Sequence, residues 1–253
     1  MTMIEGSVKD MLAKVSALVR SKPADPSARM QLFRLLCVTG QWDRAETQLD
    51  VAAGLDASLA LTVLAHRHAL NCERFRQQVF AGKRAPLFLG EPDQGAAMLA
   101  QALSAEPAQA YALRSQALEL IATRAGVLDG KPFAWLSDAD SRIGPMFEIY
   151  LDGKYYWLPM ARVQQFEWHQ PDDALDLVWS SCQLTLLGGE AQSVLVPTRY
   201  PLSETSTDDA LLLARRTDWV VIGQDHYSGL GQRMFASDIS EVALLDCRVL
   251  EFS

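Results

Sequence analysis

The spacing of apolar residues changes near residue 126, where a helical period gives way to a strand period. Before this point apolar residues recur at steps of three and four, as on one face of an α-helix. After it they alternate with polar residues, and 15 of the 21 aromatic residues lie there. Bulky rings suit a half-buried pleated surface. The pattern predicts an α+β fold, with an all-helical domain over residues 1–125 and a mostly antiparallel β domain over residues 126–253.

A helical hairpin is predicted between Asp25 and Asp56. Asp25 is placed to cap the first helix, Pro26 suits its first turn, and Gly40 is placed to end it. The second helix has one apolar face, formed by Trp42, Ala45, Leu49 and Ala52. A unit of about 32 residues resembles a tetratricopeptide repeat, whose period is roughly 34 residues. Because one repeat cannot bury its own faces, flanking helices are expected to cover it.

Further helices are predicted on both sides of this hairpin, giving a bundle of five or six. An amphipathic N-terminal helix has an apolar face formed by Ile4, Val8, Met11, Val15 and Leu18. A longer helix over 57–80 has Leu61, Leu64, Ala65 and His68 on one side. Two more are predicted at 94–103 and 107–124.

Two β-hairpins are predicted after the change of pattern. Asp152-Gly153 divides one alternating run, over 146–159, and favours a type I′ turn. Gly188-Gly189 divides another run, over 184–197. Further strands are predicted at 218–222 and 242–252. Gly229-Leu-Gly231 is predicted to be a turn, since no βαβ frame surrounds this G-x-G.

The formal charge of −8 is unevenly distributed. Residues 1–125 hold 14 Lys/Arg and 12 Asp/Glu, whereas residues 126–253 hold 9 and 19. An acidic chain without a basic run argues against nucleic acid as a partner. The apolar stretches are too short for a membrane span, which needs about 18 residues.

The four cysteines are scattered and show no metal-ligand spacing. Reduced, buried thiols are therefore expected in a cytoplasmic protein. The sequence shows no nucleophile elbow and no paired histidines on one helical face. No cofactor or metal is expected.

The boundary segment 129–147 gathers acids, an arginine and aromatic residues. Asp138, Asp140 and Arg142 could support acid–base chemistry or hold a divalent ion. The D-x-D spacing lacks the other ligands of a calcium loop, which favours a turn held by carboxylates with Arg142 in an internal salt bridge. We predict that these three residues form a structural joint that fixes how the two halves meet. A hydrolase or ligand-binding enzyme that uses this cluster is the alternative.

The helical half is predicted to present a concave surface on which an amphipathic helix or an extended peptide can lie. Aromatic and arginine side chains are the anchors that binding surfaces favour. The candidates for partner binding are Arg29, Phe33, Phe75, Arg76, Val79 and Phe80. The alternative for both phenylalanine clusters is a place in the core.

Several blocks along the chain resemble the SciE-type or ImpE family, also called TagJ, an accessory component of bacterial type VI secretion. They include LLCVTGQWDRAE from Leu35, RQQVFAGKRAP from Arg76, DGKPFAWLSDADSRIGP from Asp129, GKYYWLP from Gly153, VPTRYP from Val196 and GLGQRMF from Gly229. The blocks follow in order over nearly the whole chain.

The resemblance implies a non-enzymatic cytoplasmic bacterial protein that binds the small subunit of the contractile sheath. Binding would use a helix near the N-terminus of that subunit. The resemblance leaves open whether the protein also links the sheath to the hexameric AAA+ ATPase that disassembles it. It supplies no catalytic residues. A scaffold that self-associates through exposed hairpin edges is a further alternative.

Overall fold

The structure, a computed structural model, describes residues 6–253, so Ile4 of the predicted first helix lies outside it. Helices occupy most of the described N-terminal half, and one short helix follows much later in the chain. They are α1 (Val8–Ser21), α2 (Pro26–Val38), α3 (Trp42–Leu55), α4 (Ala60–Phe80), α5 (Gln94–Ala102), α6 (Pro107–Leu120) and α7 (Asp209–Leu212).

The predicted helical hairpin is formed by α2 and α3. The Asp25 carboxylate accepts hydrogen bonds from the backbone N–H groups of Ser27 and Ala28, and so caps α2. Gly40 has a φ of +65°, the left-handed conformation that ends a helix without strain. The turn between the two helices is therefore encoded locally.

Strands fill the second half, with one short strand contributed by the first. They are β1 (Leu87–Phe88), β2 (Gly126–Leu128), β3 (Lys131–Phe133), β4 (Leu136–Asp138), β5 (Met146–Leu151), β6 (Lys154–Pro159), β7 (Val163–Trp168), β8 (Trp179–Leu186), β9 (Ala191–Pro197), β10 (Thr217–Val221), β11 (Tyr227–Gly231), β12 (Met234–Ser237), β13 (Glu241–Ala243) and β14 (Val249–Phe252). The predicted α+β fold is thus confirmed.

Nine strands form the largest sheet, in the order β1-β6-β5-β9-β8-β7-β14-β2-β3. Its ladders are antiparallel except for the pair β1 and β6. The turn between β5 and β6 has positive φ at both Asp152 and Gly153, as a type I′ turn requires. Smaller sheets are formed by β13-β12-β4 and by β10-β11. The edge strand β1 links the segment after α4 directly to the sheet.

Alternation along β5 assigns its two faces to two different cores. Met146 and Tyr150 join the core cluster that contains the helices, whereas Phe147 and Ile149 join a cluster within the β half. The first cluster is continuous from the helices to the rings on the near face of the sheet. The helices and the sheet therefore share one core, and the division into domains at residue 125 stays a prediction about independent folding.

The side of α4 formed by Leu61, Leu64, Ala65 and His68 faces solvent. Leu61 and Leu64 are 82% and 47% exposed, whereas Glu73 and Arg76 are buried. The helix thus directs two charged side chains inward and leaves an apolar stripe in solvent. Apolar periodicity fails here because charged partners on the sheet compensate the buried charges.

The Gly229-Leu-Gly231 segment is a strand, β11, and its prediction as a turn is wrong. Gly229 lies beneath the ring of Tyr200, where a Cβ would be only 2.1 Å from Cδ2 of the ring. The glycine therefore permits close packing within a sheet.

Arg199, which follows β9, is buried at the junction of the two halves. Its Nη1 donates to the carbonyl oxygens of Val38, at 2.8 Å, and Leu212, at 2.5 Å. These carbonyls end α2 and α7, where a cation is favourable. Arg199 of the β half thus donates hydrogen bonds to the C-terminal carbonyls of two helices, one in each half.

Candidate functional site at the joint and on the helical surface

A network of buried ion pairs joins α4 to β5. Arg76 Nε donates to Oε1 of Glu148 at 2.6 Å, and Arg76 Nη2 donates to the other carboxylate oxygen at 3.1 Å. Glu148 lies on the face of β5 that packs against the helices, between Met146 and Tyr150. Both charged side chains are almost fully excluded from solvent. Because both charges are buried, removal of either side chain would leave the other charge uncompensated and destabilise the fold.

The network extends along α4 through Glu73, three residues before Arg76. Glu73 accepts a hydrogen bond from Arg76 Nη1 at 3.1 Å. Its second carboxylate oxygen accepts from the hydroxyl of Tyr150 at 2.5 Å and from the indole N–H of Trp179 at 2.9 Å. Rings from β5 and β8 thereby satisfy a helix carboxylate inside the core.

Arg233, which immediately precedes β12, bridges the two ends of the joint. Its guanidinium forms close ion pairs with Asp138 and Glu148, and its Nε donates to the carbonyl of Pro197 at 3.0 Å. Asp138 also accepts from the hydroxyl of Tyr200 at 2.9 Å. The predicted joint residue Asp138 is therefore connected to α4 through Arg233 and Glu148.

The two carboxyl groups on Arg233 have opposite pKa shifts. Burial raises the pKa of Asp138 to about 7, and the attraction of Arg233 only partly offsets it. Burial also acts to raise the pKa of Glu148, but the guanidinium groups of Arg76 and Arg233 outweigh it and lower that pKa to about 2. Glu148 is thus the firmly ionised centre of the network.

Asp140 and Arg142 form the outer part of the joint. Arg142 donates to Asp140 from Nε at 2.9 Å and from Nη2 at 2.6 Å. Asp140 also accepts from the backbone N–H of Gly229 at 3.0 Å. The Arg142 guanidinium lies over the ring of Phe80, 5.2 Å from its centroid, and so contacts the end of α4. Whether Asp138, Asp140 and Arg142 fix the arrangement of the halves stays a prediction.

The chemistry open to this cluster is limited by its burial. Asp138 is 3% exposed, Asp140 is fully buried, and both carboxylates accept hydrogen bonds from protein groups. Within residues 6–253 no group of three or more His, Cys, Asp or Glu side chains is arranged to hold a metal ion. Burial also raises the pKa of the Cys37 and Cys182 thiols, which favours the neutral form. The geometry of the cluster therefore supports a structural role, in which its side chains hold the helices against the sheet.

Three of the predicted partner-binding residues are buried. Phe33 packs against His66 inside the helical core, and Val79 is fully buried. Arg76 belongs to the ion-pair network. An exposed position for Phe33, Arg76 and Val79 is therefore wrong, because packing between helices occupies Phe33, the core encloses Val79, and ion pairs with the sheet occupy Arg76.

The other three predicted residues are half-buried. Phe75 and Phe80 lie near the rings of Tyr155 and Trp157, with centroids 6.1 Å apart in each case. Arg29 donates to the Pro23 carbonyl and to the Gln48 side chain, within the helical half. A contact of these three residues with a partner stays a prediction.

Sequence reasoning missed Glu73, Glu148 and Arg233, which are central to the buried ion-pair network. The available signal was a charged residue inside an apolar strand, as in the Met-Phe-Glu-Ile-Tyr-Leu run of β5. A buried charge in such a run demands a partner of opposite sign. The identity of that partner depends on chain packing and is absent from local sequence.

The outer side of α4 is one exposed surface of the helical half. Its apolar stripe is formed by Leu61, Leu64, Ala65 and His68, spaced as neighbours on one helical face. The stripe leads into a cavity of about 250 Å³ between α4 and the sheet, which includes Ala65, His68 and the turn at Asp152-Gly153. We call these residues the α4 stripe.

Fold and joint together define a class: a helical bundle and a β-sheet that share a core and a buried ion-pair network. Residues 130–251 match the family described as ImpE protein. The chain is 41% identical over 251 residues to the type VI secretion system accessory component TagJ of Pseudomonas aeruginosa, covering 98% of this chain and 88% of the relative. The chain therefore belongs to the ImpE/TagJ family of type VI secretion accessory components, as the sequence blocks predicted.

A solved structure has the same fold. The crystal structure of protein VPA1032 from Vibrio parahaemolyticus superimposes with a TM-score of 0.88 at 24% identity, covering 97% of this chain and 94% of the other. At that identity the likeness concerns the fold alone. Across the described residues, no helix is long and apolar enough to cross a membrane.

Proposed function

We propose that this chain is a non-enzymatic cytoplasmic adaptor of bacterial type VI secretion that binds an N-terminal helix of the small sheath subunit. The observation that carries the proposal is its 41% identity to an accessory component of that system over 98% of the chain. The burial of the Asp138 and Asp140 carboxylates supports a role without catalysis.

The α4 stripe supports a helix-binding role for the helical half. Leu61 and Leu64 are large apolar side chains in solvent, and the adjoining cavity offers a recess for a further side chain. An amphipathic helix places apolar residues on one face and can cover such a stripe. We place the sheath-subunit helix along α4, next to the turn between β5 and β6.

Calorimetry with a peptide of the sheath subunit's N-terminal helix tests the function. Binding by the wild-type chain is expected, and no heat or co-elution at high micromolar concentration would contradict the adaptor role. Leu61→Asp/Leu64→Asp should abolish binding if the α4 stripe is the site. Leu187→Asp, at an exposed leucine after β8, is the matched control and should bind normally.

The link to the sheath-disassembling ATPase is a separate part of the proposal. If one adaptor contacts both components, the chain should retain the ATPase on immobilised sheath subunit, and omission of the chain should release it. Retention that is equal without the chain would reject the link.

Self-association is a second candidate, favoured by the β10-β11 ribbon. Trp219, Val220, Val221 and Tyr227 are all exposed on it, and β10 has a strand partner on one side only among the described strands. An open apolar edge can pair with another chain. Light scattering of the purified chain should show a dimer if this edge pairs with itself, and a monomer would exclude it.

A further inference from the structure

Helices cover only part of one face of the nine-stranded sheet. Residues paired across strands project from the same face, so the register places Ser193, Gln183, Glu167 and Val249 in one row across β9, β8, β7 and β14. Ser193, Glu167 and Val249 are exposed. Tyr150 of β5 projects from the same face and is buried against the helices. The helical layer therefore ends before this row, which faces solvent.

This uncovered row is continuous with the α4 stripe. The cavity of about 250 Å³ is lined by Ala65 and His68 of α4 and by Ser181 and Ser193 of the sheet, so α4 forms a wall and the sheet forms a floor. Neighbouring strands lie about 4.8 Å apart, which places Glu167 of β7 about 10 Å from Ser193 of β9. That distance is about the width of an α-helix. One helix can therefore lie on the floor and contact α4 on one side and β7 on the other.

The far side of this floor is acidic. Glu167 and Glu251 of β14 are exposed, and neither carboxylate has an ion-pair partner among residues 6–253. The Gln165 amide donates to Glu251 at 3.3 Å, which leaves the charge of that carboxylate uncompensated. The next row comprises Ala191, Thr185, Gln165 and Glu251, and neither of these two described rows contains a lysine or an arginine. The floor therefore has an acidic edge opposite the leucines of the α4 stripe.

A solvated polar face is common on antiparallel sheets and by itself indicates no partner. Here the face adjoins Leu61 and Leu64, two large apolar side chains in solvent. A ligand that contacts both surfaces needs apolar residues toward α4 and positive charge toward β7 and β14. Glu167 and Glu251 are diagonal neighbours in the ladder, about 7–8 Å apart. Lysine or arginine residues one turn apart on a helix can therefore each meet one carboxylate.

We propose that the helix bound by the α4 stripe also covers this floor, and that it is a basic amphipathic helix. Its apolar residues pack against Leu61 and Leu64, and its lysine or arginine residues pair with Glu167 and Glu251. This inference rests on the proposed helix-binding function and adds the charge that the bound helix must carry. A helix with an acidic flank would be repelled from the same site.

Calorimetry with the peptide of the sheath subunit's N-terminal helix tests the charge assignment on the full chain. Glu167→Gln/Glu251→Gln should weaken binding by about fivefold, and should reduce the loss of affinity that raised salt causes in the wild type. Glu91→Gln/Glu241→Gln removes the same charge from exposed acids in the loop after β1 and in β13, so affinity should stay within about twofold. A peptide in which Gln replaces every Lys and Arg should bind the wild type and the Glu167→Gln/Glu251→Gln variant equally, because the ion pairs are already lost.

Three outcomes would overturn the proposal: unchanged affinity of Glu167→Gln/Glu251→Gln, an equal loss in Glu91→Gln/Glu241→Gln, or a further loss when the first variant meets the Gln-substituted peptide. If Leu61→Asp/Leu64→Asp nevertheless abolishes binding, the helix-binding function stands without the acidic floor. A wild-type chain that does not bind the peptide would reject the function itself, and with it this inference. Circular dichroism of each variant excludes unfolding, and Glu167→Gln alone provides the test should the double variant fail to fold.

Discussion

Arg76 of α4 and Glu148 of β5 form a two-point ion pair across 72 residues of sequence, with nitrogen–oxygen distances of 2.6 and 3.1 Å. The pair is buried at the boundary between helices and sheet. It joins the two halves by charge in addition to apolar packing, and orients α4 so that its apolar stripe remains outside.

Removal of the central carboxylate should strongly destabilise the chain. Glu148→Ala leaves the guanidinium groups of Arg76 and Arg233 buried without their shared partner, and should lower the free energy of unfolding by about 3–5 kcal/mol. Urea unfolding followed by tryptophan fluorescence measures this. Asp50→Ala, which breaks the exposed pair with Arg67, should cost less than about 1 kcal/mol. Similar losses of unfolding free energy in both variants would show that the buried network stabilises the chain no more than an exposed ion pair does.

Gly229 should tolerate no side chain. A Cβ there would lie 2.1 Å from Cδ2 of Tyr200, so Gly229→Ala must displace a buried ring and should cost about 2 kcal/mol or more. Gly54→Ala is the control, because nothing lies within 4 Å of its Cβ position in α3. That change should be neutral or stabilise by up to about 1 kcal/mol. Calorimetric melting of both variants decides, and a stable Gly229→Ala would contradict the packing.

The contact of His66 with Phe33 should make the chain sensitive to acid. Burial and the nearby Arg34 lower the pKa of His66 from 6.5 to about 4. Below pH 6.5 the unfolded chain therefore binds a proton that the folded chain refuses, and stability falls until about pH 4. Unfolding free energies measured across this range should decline less in His66→Gln than in the wild type. The exposed His169→Gln serves as control and should keep the wild-type slope.

The shared core predicts that the halves do not fold apart. A fragment of residues 126–253 would expose the rings of Tyr155 and Trp157, which the helices cover. It should show no cooperative melt alone, whereas co-expression with residues 1–125 should restore one. A cooperative melt of the isolated fragment would instead support the domain division at residue 125.

Asp140→Asn separates a structural role from a catalytic one. The amide can still accept from the Gly229 N–H but loses its charge for Arg142, so the contact between Arg142 and Phe80 should loosen. Faster hydrogen exchange at the end of α4 is the expected readout. Secretion should persist in a folded variant, whereas its complete loss would favour the enzyme hypothesis.

Features encoded by adjacent residues could be predicted from sequence. The cap at Asp25, the left-handed Gly40 and the Asp152-Gly153 turn each depend on a few neighbouring residues. The surface of α4 could not be predicted in this way. Its inward face carries Glu73 and Arg76, whose partners lie on the sheet, so tertiary pairing overrides the apolar period.

Part of the joint was also readable. Asp138 and Asp140 are two acids close to Arg142 in the sequence. The salt bridge predicted for Arg142 forms with Asp140, within the same three-residue segment. Glu148 and Arg233 are 85 residues apart, and neither has a local motif. Only the folded structure shows that Arg233 connects the carboxylates of Asp138 and Glu148.

The placement of Arg199 limits how this architecture can be altered. In a solenoid the next hairpin would stack on α3 and α4, and repeats could be added without penalty. Here a guanidinium from the sheet occupies the end of α2 and also holds α7. An inserted repeat would separate the Val38 and Leu212 carbonyls from the Arg199 guanidinium. Differences in chain length within the family should therefore lie in surface loops, while the number of helical hairpins stays constant.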